Sequence, residues 1–426
     1  MCNQGLPINN LWYDEIRQNS IKKILQDARM VEKMIQFSKL KGKKILFLVI
    51  SDFLHDARVL KEAQSAQEAG MKVTVLVPRA PQIMPYAKKN GIKVACVESS
   101  IRKSLLYFWR KIKNKSIKPA AANLTDAQMR FWPCVGTILS IWLINRQFVK
   151  IARKLKPDIV HANDPVTLPA AYKLKRQLGC KLIYDSHEFY SEILANPHPL
   201  WRNAVIWVEK KSFFADGVMS VNDWILRQLN RRYHLGRIPQ VVVMNAPRYE
   251  RRKHHQQKLP IKLVYLGSMA KHRGVEDFAK IVKSLPKSEL WTIGKENLIL
   301  NQVHSLSAVA PADIVKTLSC FDVGVIPFKH SSLNNDHALP NKLFEYMMAG
   351  LAIISSDLPE IAKIIKGSKN GFIFHSNDIK KKINRLIKNP KILEQYKKNS
   401  LKAAKEYCWE NEEKKQLALY QKILEQ

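Results

Sequence analysis

The stretch KILFLVISDFLHDARVLKEAQSAQEAGMKVTVLV, residues 44–77, decides the fold. It begins with an apolar run, Lys44–Ile50, which is typical of a buried parallel strand. Ala57–Gly70 then has helical spacing with a terminal glycine, and Lys72–Val77 is a second apolar run. A strand, a helix and a second strand in this order predict a parallel sheet covered by helices.

The same alternation continues along the rest of the chain. In the first half, further strands are predicted at Ile92–Val97, Asp158–His161 and Lys181–Tyr184. The polar, basic stretch Arg248–Lys258 is typical of a linker. A second series of strands is predicted after it, at Lys262–Leu266, Leu290–Ile293, Val323–Ile326 and Ala352–Ser355. Two such sheets place a cleft between their carboxyl edges, where ligands bind.

The length of 426 residues suits two domains of about 200 residues each. The predicted fold class is α/β, with two Rossmann-like, doubly wound parallel-sheet domains that face each other across a cleft. We assign residues 1–40 to an N-terminal helical extension, 41–247 to the first domain and 248–408 to the second. The last helix, residues 409–426, is expected to pack back on the first domain.

The charge of the chain is strongly positive. There are 71 Lys and Arg against 36 Asp and Glu, which gives a formal net charge of +35. Such an excess attracts nucleic acid, an acidic lipid surface or a phosphorylated substrate, and a merely Lys-rich solvated surface is the plain alternative. The sequence has no helix-turn-helix, zinc-ligand or aromatic sheet motif, so we expect no specific binding of nucleic acid.

The cysteines and the apolar stretches bear on the compartment. All six cysteines stand singly, without metal or redox spacing, which favours reduced packing residues in a cytosolic protein. The first residues lack the pattern of a secretory signal. No stretch reaches the roughly 18 apolar residues that span a bilayer. We therefore expect a cytoplasmic protein.

The segment Ile101–Arg153 interrupts the alternation of strands and helices. It mixes Arg and Lys with aromatic residues such as Trp109, Trp132 and Trp142. A basic, aromatic, amphipathic stretch of this kind is suited to a membrane interface. An ordinary pair of helices packing on their own domain explains the pattern equally well, and both interpretations stay open.

The segment ALPNKLFEYMMAGLAIIS, residues 338–355, carries the strongest chemical signal. A helix is predicted over Asn341–Ala349, and its N-terminus presents N–H groups and a positive dipole end suited to a diphosphate. Lys342 adds a positive charge in the first turn. Glu345, one turn further on, has two acceptor oxygens for a ribose diol. The plain alternative is that Glu345 is a solvated helix residue.

A second group of polar residues follows the strands of the first domain. The strand Lys181–Tyr184 delivers His187 and Glu188, the candidate catalytic residues, to the carboxyl edge, although a His-Glu pair is also a common loop feature. An aspartate at a helix start is more often a cap than a ligand. No Asp-x-Asp motif is present, so no metal is predicted. The weaker candidates on this side of the cleft are Asp56, Arg58 and Asp164.

Six segments, two of which overlap stretches quoted above, form the overall pattern, and their order and spacing are more informative than any one of them. They are DARVLKEAQSAQEAGMKVTVL, DIVHANDP, LIYDSHEFYSE, VYLGSMAKHRGVEDF, ALPNKLFEYMMAGLAIISSDLPEI and YCWENEEKKQLALY. With them the chain resembles the GT-B glycosyltransferases of family 4, a retaining group that includes many enzymes of bacterial polysaccharide synthesis. The resemblance runs from Lys44 to Tyr420.

The resemblance implies a division of labour between the domains. The first would bind the acceptor, a glycan or a lipid-linked molecule, and the second a nucleotide-diphosphate sugar as co-substrate, with no cofactor. Transfer would retain the anomeric configuration by same-face attack, through an oxocarbenium-like transition state. Because such acceptors are commonly lipid-linked diphosphates, we also expect peripheral contact with anionic lipid on the inner face of the cytoplasmic membrane.

The resemblance also assigns residues. Many relatives have two glutamates, one on the ribose and one on the donor sugar. Glu345 matches the first of these roles, while the second position falls on His337. Ser268 stands where relatives have a diphosphate-binding arginine, and Arg273 matches the lysine that accompanies it. His187 would lie near the transferred sugar. The resulting donor site comprises, for the nucleotide, Gly267, Arg273, Asn341, Lys342 and Glu345, and, for the sugar, Asp336, His337 and Leu339.

Two other functions remain to be distinguished from sugar transfer. A nucleotide-sugar 2-epimerase of the same fold would need acid and base carboxylates for proton abstraction. A polyanion-binding protein would rely on the basic surface alone and give only salt-sensitive, unspecific binding. Transfer of a sugar to an acceptor, rather than isomerisation of the donor, separates the first alternative from the prediction.

Overall fold

The computed structural model describes residues 30–50, 53, 56–78, 91–97, 126–252, 259–294, 303–375 and 377–426. The described chain forms two sheets, one from each half of the sequence. A hydrophobic cluster covers each face of each sheet. Both units are therefore three-layered α/β structures, as the sequence predicts.

The first sheet is parallel throughout. Its strands are β1 (Lys44–Leu48), β2 (Lys72–Pro78), β3 (Lys93–Val97), β4 (Ile159–Asn163), β5 (Lys181–Ser186), β6 (Gly217–Ser220) and β7 (Gln240–Val242). Their order is β3-β2-β1-β4-β5-β6-β7, so the direction of winding reverses between β1 and β4. Ligands of doubly wound sheets bind at such a reversal. The helices of this lobe are α1 (Ala57–Glu68), α2 (Asp126–Leu155), α3 (Leu168–Leu178), α4 (Pro199–Glu209) and α5 (Asp223–Tyr233).

The second sheet repeats this topology. Its strands are β8 (Ile261–Leu266), β9 (Ser288–Gly294), β10 (Val303–Ser307), β11 (Val323–Ile326), β12 (Ala352–Ser356) and β13 (Gly371–Phe374). All are parallel, in the order β10-β9-β8-β11-β12-β13. The helices that follow are α6 (Val275–Val282), α7 (Ile314–Leu318), α8 (Leu333–Asp336), α9 (Asn341–Ala349), α10 (Pro359–Ser368), α11 (Ile379–Lys388), α12 (Pro390–Ala403) and α13 (Trp409–Leu424).

The apolar runs predict the main strands well and the short ones poorly. Each predicted strand is present with ends within two residues of the observed ones. Four strands, β6, β7, β10 and β13, are not predicted. Their sequences, GVMS, QVV, VHSLS and GFIF, contain only two or three apolar residues each.

The C-terminal helix α13 packs on α1 and on strands β6 and β7 of the first lobe. The backbone N–H of Trp409, its first residue, donates to the carbonyl of Pro247 at 2.8 Å. The buried Trp409 indole donates to the Ser65 hydroxyl of α1, also at 2.8 Å. The chain thus returns to the first lobe next to Pro247, the residue at which it leaves that lobe.

The segments expected to be an extension and a linker are partly described. Residues 30–36 are helical, and Lys33 forms ion pairs with Glu68 and Glu413. Arg248 pairs with Glu68 at 3.1 Å, and the N–H of Tyr249 donates to the carboxylate of Glu410. Arg248 and Tyr249 are therefore anchored to the first lobe and to α13, whereas the N–H of Glu250 donates to Met348 Sδ of the second lobe at 3.2 Å. Residues 1–29 and 253–258 lie outside the described chain.

The basic, aromatic segment is described only from residue 126. There it forms the 30-residue helix α2, whose inner face buries Phe148 and Ala152 in the core of the first lobe. Its outer face exposes Leu139 and Trp142. Within the described residues, no helix is long and apolar enough to cross a membrane. Helix α2 therefore packs on its own lobe and also presents aromatic surface outwards.

Truncation of Trp409 tests the docking of α13. Because Trp409 is fully buried, Trp409→Ala should lower stability by about 3–5 kcal/mol. A loss of that size corresponds to a fall of about 10 °C in melting temperature. Trp207, which is 66% exposed, is the matched control, and Trp207→Ala should change stability by less than about 0.5 kcal/mol. Equal melting temperatures by circular dichroism would contradict the described packing.

Candidate active site

A cavity of about 480 Å³ lies between the two lobes, a size usual for ligand sites. Residues at the carboxyl ends of both sheets line it. The sequence-predicted residues that it brings together are Asp56, Arg58, His187, Glu188, Gly267, Arg273, Leu339, Asn341, Lys342 and Glu345. Three predicted residues are absent from its lining, namely Asp164, Asp336 and His337.

The N-terminal turn of α9 forms one wall of the cavity. The helix begins after Pro340, whose side chain provides no capping oxygen. It ends at Gly350, which has a φ of 75° and so allows the turn into β12. The bounds Asn341–Ala349 agree with the sequence prediction. An uncapped helix N-terminus facing a cavity favours an anionic ligand.

Two cations stand beside this helix end, held by aromatic rings. The Lys342 ammonium lies 3.8 Å from the ring centre of Tyr265 and 4.9 Å from that of Phe328. The Arg273 guanidinium lies 4.3 Å from the same Phe328 ring. Burial and the neighbouring Arg273 charge hold the pKa of Lys342 well below its usual value. An anion in the cavity would relieve that repulsion between the two cations.

Gly267 makes room for the Lys342 side chain. Its φ of 125° is strained for any residue with a side chain, and an added Cβ would lie 3.1 Å from the Lys342 ammonium. The position therefore favours glycine on two counts. It lets the end of β8 approach the cation without displacing it.

Glu345 projects from α9 into the same cavity. Burial raises the pKa of its carboxyl to about 6, against the opposing charges of Lys61 and Lys342. The group is therefore ionised at neutral pH and loses its charge in mildly acidic solution. A carboxylate beside two ammonium groups is suited to accept hydrogen bonds from hydroxyl donors.

Lys61 of α1 is a site neighbour that the sequence does not reveal. Its ammonium donates to Asn245 Oδ1 at 2.6 Å and to the carbonyl of Ala246 at 2.5 Å. The Asn245 amide in turn donates to Asn341 Oδ1 at 2.8 Å. Burial lowers the pKa of Lys61 to about 7, although Glu345 opposes the shift. This chain of bonds connects the first lobe to the first residue of α9.

On the opposite wall, Arg58 occupies a buried ionic cluster. Its Nε and Nη2 each donate to the Asp185 carboxylate at 2.9 Å, and its Nη1 donates to the carbonyl of Val243 at 2.5 Å. Glu62 lies 2.9 Å from the same guanidinium. Burial and the Asp185 charge raise the pKa of Glu62 well above its usual value. Arg58 lines the cavity while its guanidinium is bonded to protein partners, and its contact with an acceptor stays a prediction.

The carboxylates of this cluster also have a metal-like spacing. Ligand atoms of Glu62, His161 and Asp185 lie within 4.8 Å of one another. Arg58 bonds to both carboxylates, so a guanidinium already stands where a metal cation would have to bind. The cluster is therefore an ion-pair network that ties α1 to β5.

His187 is held between two carboxylates. Its Nε2 donates to Asp185 at 2.9 Å, and its Nδ1 lies 3.3 Å from Asp164. Burial alone would lower the pKa of His187, but the charges of Asp164 and Asp185 raise it to about 10. The ring is therefore a protonated imidazolium at neutral pH. Asp164 is absent from the cavity lining and contacts His187, which lines it. Its expected contact with an acceptor stays a prediction.

Glu188 is fixed by the other lobe. The Asn334 amide of α8 donates to the Glu188 carboxylate at 2.5 Å, and Asn334 Oδ1 accepts the N–H of Phe189 at 2.7 Å. Burial raises the pKa of Glu188, and the bond from Asn334 opposes that shift. Asn334 is buried and was not identifiable from the sequence, because only the folded chain brings α8 to Glu188.

The structure moves His337 and Asp336 away from the predicted sugar contact. The His337 ring stacks on Trp224 with a centroid distance of 3.9 Å and an interplanar angle of 6°. Its carbonyl accepts a bond from Asn222 at 2.9 Å. Asp336 accepts the N–H of Ser331 at 3.3 Å. Both residues thus make structural contacts. The same segment instead reaches the cavity wall through Asn335, Ala338 and Leu339.

The charge of His187 can be measured directly. Because its pKa is raised from 6.5 to about 10, the ring contributes stability that is complete below pH 6.5 and is lost as the pH rises towards 10. Ring-nitrogen NMR, assigned with His187→Gln, should show a doubly protonated ring at pH 8. Asp164→Asn should lower its pKa. A neutral His187 ring at pH 7 in the unaltered protein would contradict the assignment.

Comparison with known proteins identifies the family of this chain. Residues 57–246 match the family model described as Glycosyltransferase Family 4, and residues 260–389 match the model described as Glycosyl transferases group 1. The chain is 23% identical over 171 residues to a putative teichuronic acid biosynthesis glycosyltransferase of Bacillus subtilis. That alignment covers 36% of this chain and 43% of the relative, so the chain matches less than half of that protein's length.

Solved structures show the same fold at low identity. Sucrose-phosphate synthase from Thermosynechococcus elongatus superposes with a TM-score of 0.63 at 12% identity, over 90% of this chain and 99% of that one. HepE of Anabaena, solved in complex with UDP-glucose, superposes with a TM-score of 0.60 at 13% identity, over 88% and 98%. With two matched family models and this two-lobed architecture, the chain belongs to the group 1, family 4 glycosyltransferases and has the GT-B fold.

Proposed function

We propose that this protein transfers a sugar, with retention of anomeric configuration, from a nucleoside diphosphate sugar to a hydroxyl group of a glycan or lipid-linked acceptor. One observation carries the proposal: Lys342, Arg273 and Glu345 meet in one cavity at the N-terminal turn of α9. Two cations and a helix end match a diphosphate, and a carboxylate one turn further on matches a ribose diol.

The role of the cations follows from the charge that develops during transfer. As the bond to the donor sugar breaks, negative charge gathers on the leaving nucleoside diphosphate. Lys342 and Arg273 are already fixed against the rings of Tyr265 and Phe328. Groups that are held in place before reaction stabilise the charged transition state more than the ground state.

The proposed step is a same-face substitution. The bond between the anomeric carbon and the β-phosphate oxygen breaks, and its electron pair stays with that oxygen. The acceptor hydroxyl oxygen forms the new bond to the anomeric carbon, and its proton passes to the leaving β-phosphate. No group of the protein needs to form a bond to the sugar.

His187 and Glu188 fit this step as binding groups. The imidazolium of His187 has both nitrogens beside carboxylates, so it is not a proton acceptor. We propose instead that His187 holds in place the part of the cavity wall that contacts the sugar. Glu188 also lines the cavity and has a second carboxylate oxygen with which to accept a hydroxyl donor from the sugar or the acceptor.

The relatives suggest where to look for substrates. HepE was solved with UDP-glucose, which makes UDP-sugars the first donors to test. The Bacillus subtilis relative is described as acting in teichuronic acid biosynthesis, which favours a cell-surface polysaccharide or its lipid-linked precursor as acceptor. We place the reaction in the cytoplasm with no cofactor beyond the donor, and this part of the proposal stays a prediction.

Glu345→Ala tests the donor site. Hydrogen bonds to a charged group contribute about 1.5–3 kcal/mol, so the substitution should weaken UDP binding roughly 10- to 100-fold. Isothermal titration calorimetry gives the measurement. Glu406→Ala, at an exposed carboxylate of the same lobe, is the matched control and should leave the affinity unchanged. Unaltered UDP affinity in Glu345→Ala would mean that the nucleotide lies elsewhere.

The pH dependence of binding provides a second test. Since the Glu345 pKa is about 6, the carboxylate is charged above that pH and neutral below it. UDP affinity should therefore fall as the pH decreases through 6. Glu345→Gln should bind weakly across the range and lack this step. The same step in both proteins would assign it to another group.

The reaction itself is tested by product analysis. With an α-configured UDP-sugar and an acceptor, the anomeric proton coupling of the product should indicate an α-linkage. A β-linkage would overturn the proposed retention. Isomerised donor without any transfer product would support the epimerase instead.

A further inference from the structure

A surface of the first lobe, separate from the cavity, exposes large aromatic side chains. Helix α4 and the following turn, Lys210–Phe214, expose 66% of Trp207, 53% of Phe213 and 46% of Phe214. The Phe213 and Phe214 rings meet edge to face. We call Trp207, Lys210, Lys211, Phe213 and Phe214 the aromatic face. The adjacent helix α2 adds the exposed Leu139 and Trp142.

Cations accompany the exposed indole rings on both helices. The Lys211 ammonium lies 3.5 Å from the ring centre of Trp207, and burial against the ring lowers its pKa. On α2, the Arg146 guanidinium lies 4.9 Å from the ring centre of Trp142. A basic group stacked on a solvent-facing indole thus occurs twice in this helical layer. Both side chains place apolar surface and positive charge together at the outer boundary of the protein.

Basic residues outnumber acidic ones on this part of the described surface. Between Pro199 and Phe214 the only acidic residue is Glu209, which is buried and accepts bonds from Tyr184 and Tyr233. Helix α3 and residues 136–155 of α2 contain Lys and Arg but no Asp or Glu. The acidic residues at its border, Glu192 and Asp216, are ion-paired with Arg202 of α4 and Lys175 of α3. The layer therefore keeps an excess of positive charge, which complements an anionic partner.

We propose that the aromatic face docks the protein on the surface of an anionic lipid bilayer. Exposed Trp and Phe next to Lys and Arg suit the boundary between lipid headgroups and acyl chains. Each Lys or Arg near an anionic leaflet contributes about 1 kcal/mol of attraction. A symmetric pair of copies is a poorer occupant, because two faces of like charge would oppose each other.

The position of the face relates docking to the cavity. The turn Tyr190–Glu192 follows directly after Glu188 and contacts α4. It is followed by Leu194, which is 56% exposed. The docked lobe would therefore hold its His187–Glu188 wall near the bilayer, where the head of a lipid-linked acceptor is found. This consequence for the acceptor rests on the proposed function, whereas the docking itself does not.

The experiment is flotation with phosphatidylcholine vesicles, with and without phosphatidylglycerol. The unaltered protein should float only with the anionic vesicles, and added salt should weaken the interaction. Lys210→Glu with Lys211→Glu, and separately Trp207→Ser with Phe213→Ser, should each lower partitioning at least about tenfold. Trp207, Lys210 and Phe213 are exposed and Lys211 is half-buried. None of the four lines the cavity, so circular dichroism and UDP affinity should remain those of the unaltered protein.

Two matched controls separate a specific face from general charge. Lys388→Glu with Lys391→Glu reverses two exposed cations of the second lobe, and Ile35→Ser removes an apolar side chain that is 72% exposed. Both should float like the unaltered protein. Equal losses in the controls, no flotation of the unaltered protein, or a dimer that Trp207→Ser with Phe213→Ser dissociates would each overturn the docking proposal. Because UDP binding is measured independently, a failure of docking differs from a failure of the donor site.

Discussion

The first lobe depends on the hydrogen bonds and ion pairs of one buried group, the Arg58 guanidinium. It joins the start of α1 to the carboxyl end of β5 through Asp185, and to the chain beyond β7 through Val243. A charge in such surroundings is tolerated only when paired and hydrogen-bonded, so removing either partner leaves an uncompensated buried ion. The same Asp185 also accepts the bond from His187. The Asp185 carboxylate therefore both anchors α1 to β5 and keeps His187 protonated at the cavity wall.

The two lobes meet through a small number of polar and stacking contacts around the cavity. Asn334 bonds to Glu188, His337 stacks on Trp224, and Asn245 bonds to Asn341. Each of these contacts joins a residue of one lobe to a residue of the other, at or next to the cavity lining. These contacts hold both walls in one arrangement, and such an arrangement suits the alignment of two substrates for transfer.

Sequence patterns predict the order of elements here because buried parallel strands are continuous apolar runs. Helix α9 is predicted with its observed ends because a proline and a glycine flank it. The donor-site residues on α9 follow from that helix, since adjacent turns place Lys342 and Glu345 on one side. These are local properties of the chain, so they can be read without the fold.

The remaining site residues depend on contacts between distant segments. Lys61 and Asn334 become neighbours of the cavity only through partners far away in sequence, such as Asn245 and Glu188. The spacing from Glu345 predicts a sugar contact for His337, but its ring stacks on Trp224 and the residue does not line the cavity. A fixed spacing predicts a register along the chain, whereas the direction of a side chain in a short loop is decided by packing.

The central claim is that the cavity beside α9 holds the donor nucleotide. A crystal structure of the protein with a UDP-sugar, or with UDP alone, tests it most directly. The diphosphate should lie within hydrogen-bonding distance of Lys342 and Arg273, and the ribose hydroxyls should contact the Glu345 carboxylate. A nucleotide bound outside this cavity, or one with its diphosphate turned away from the N-terminus of α9, would contradict it.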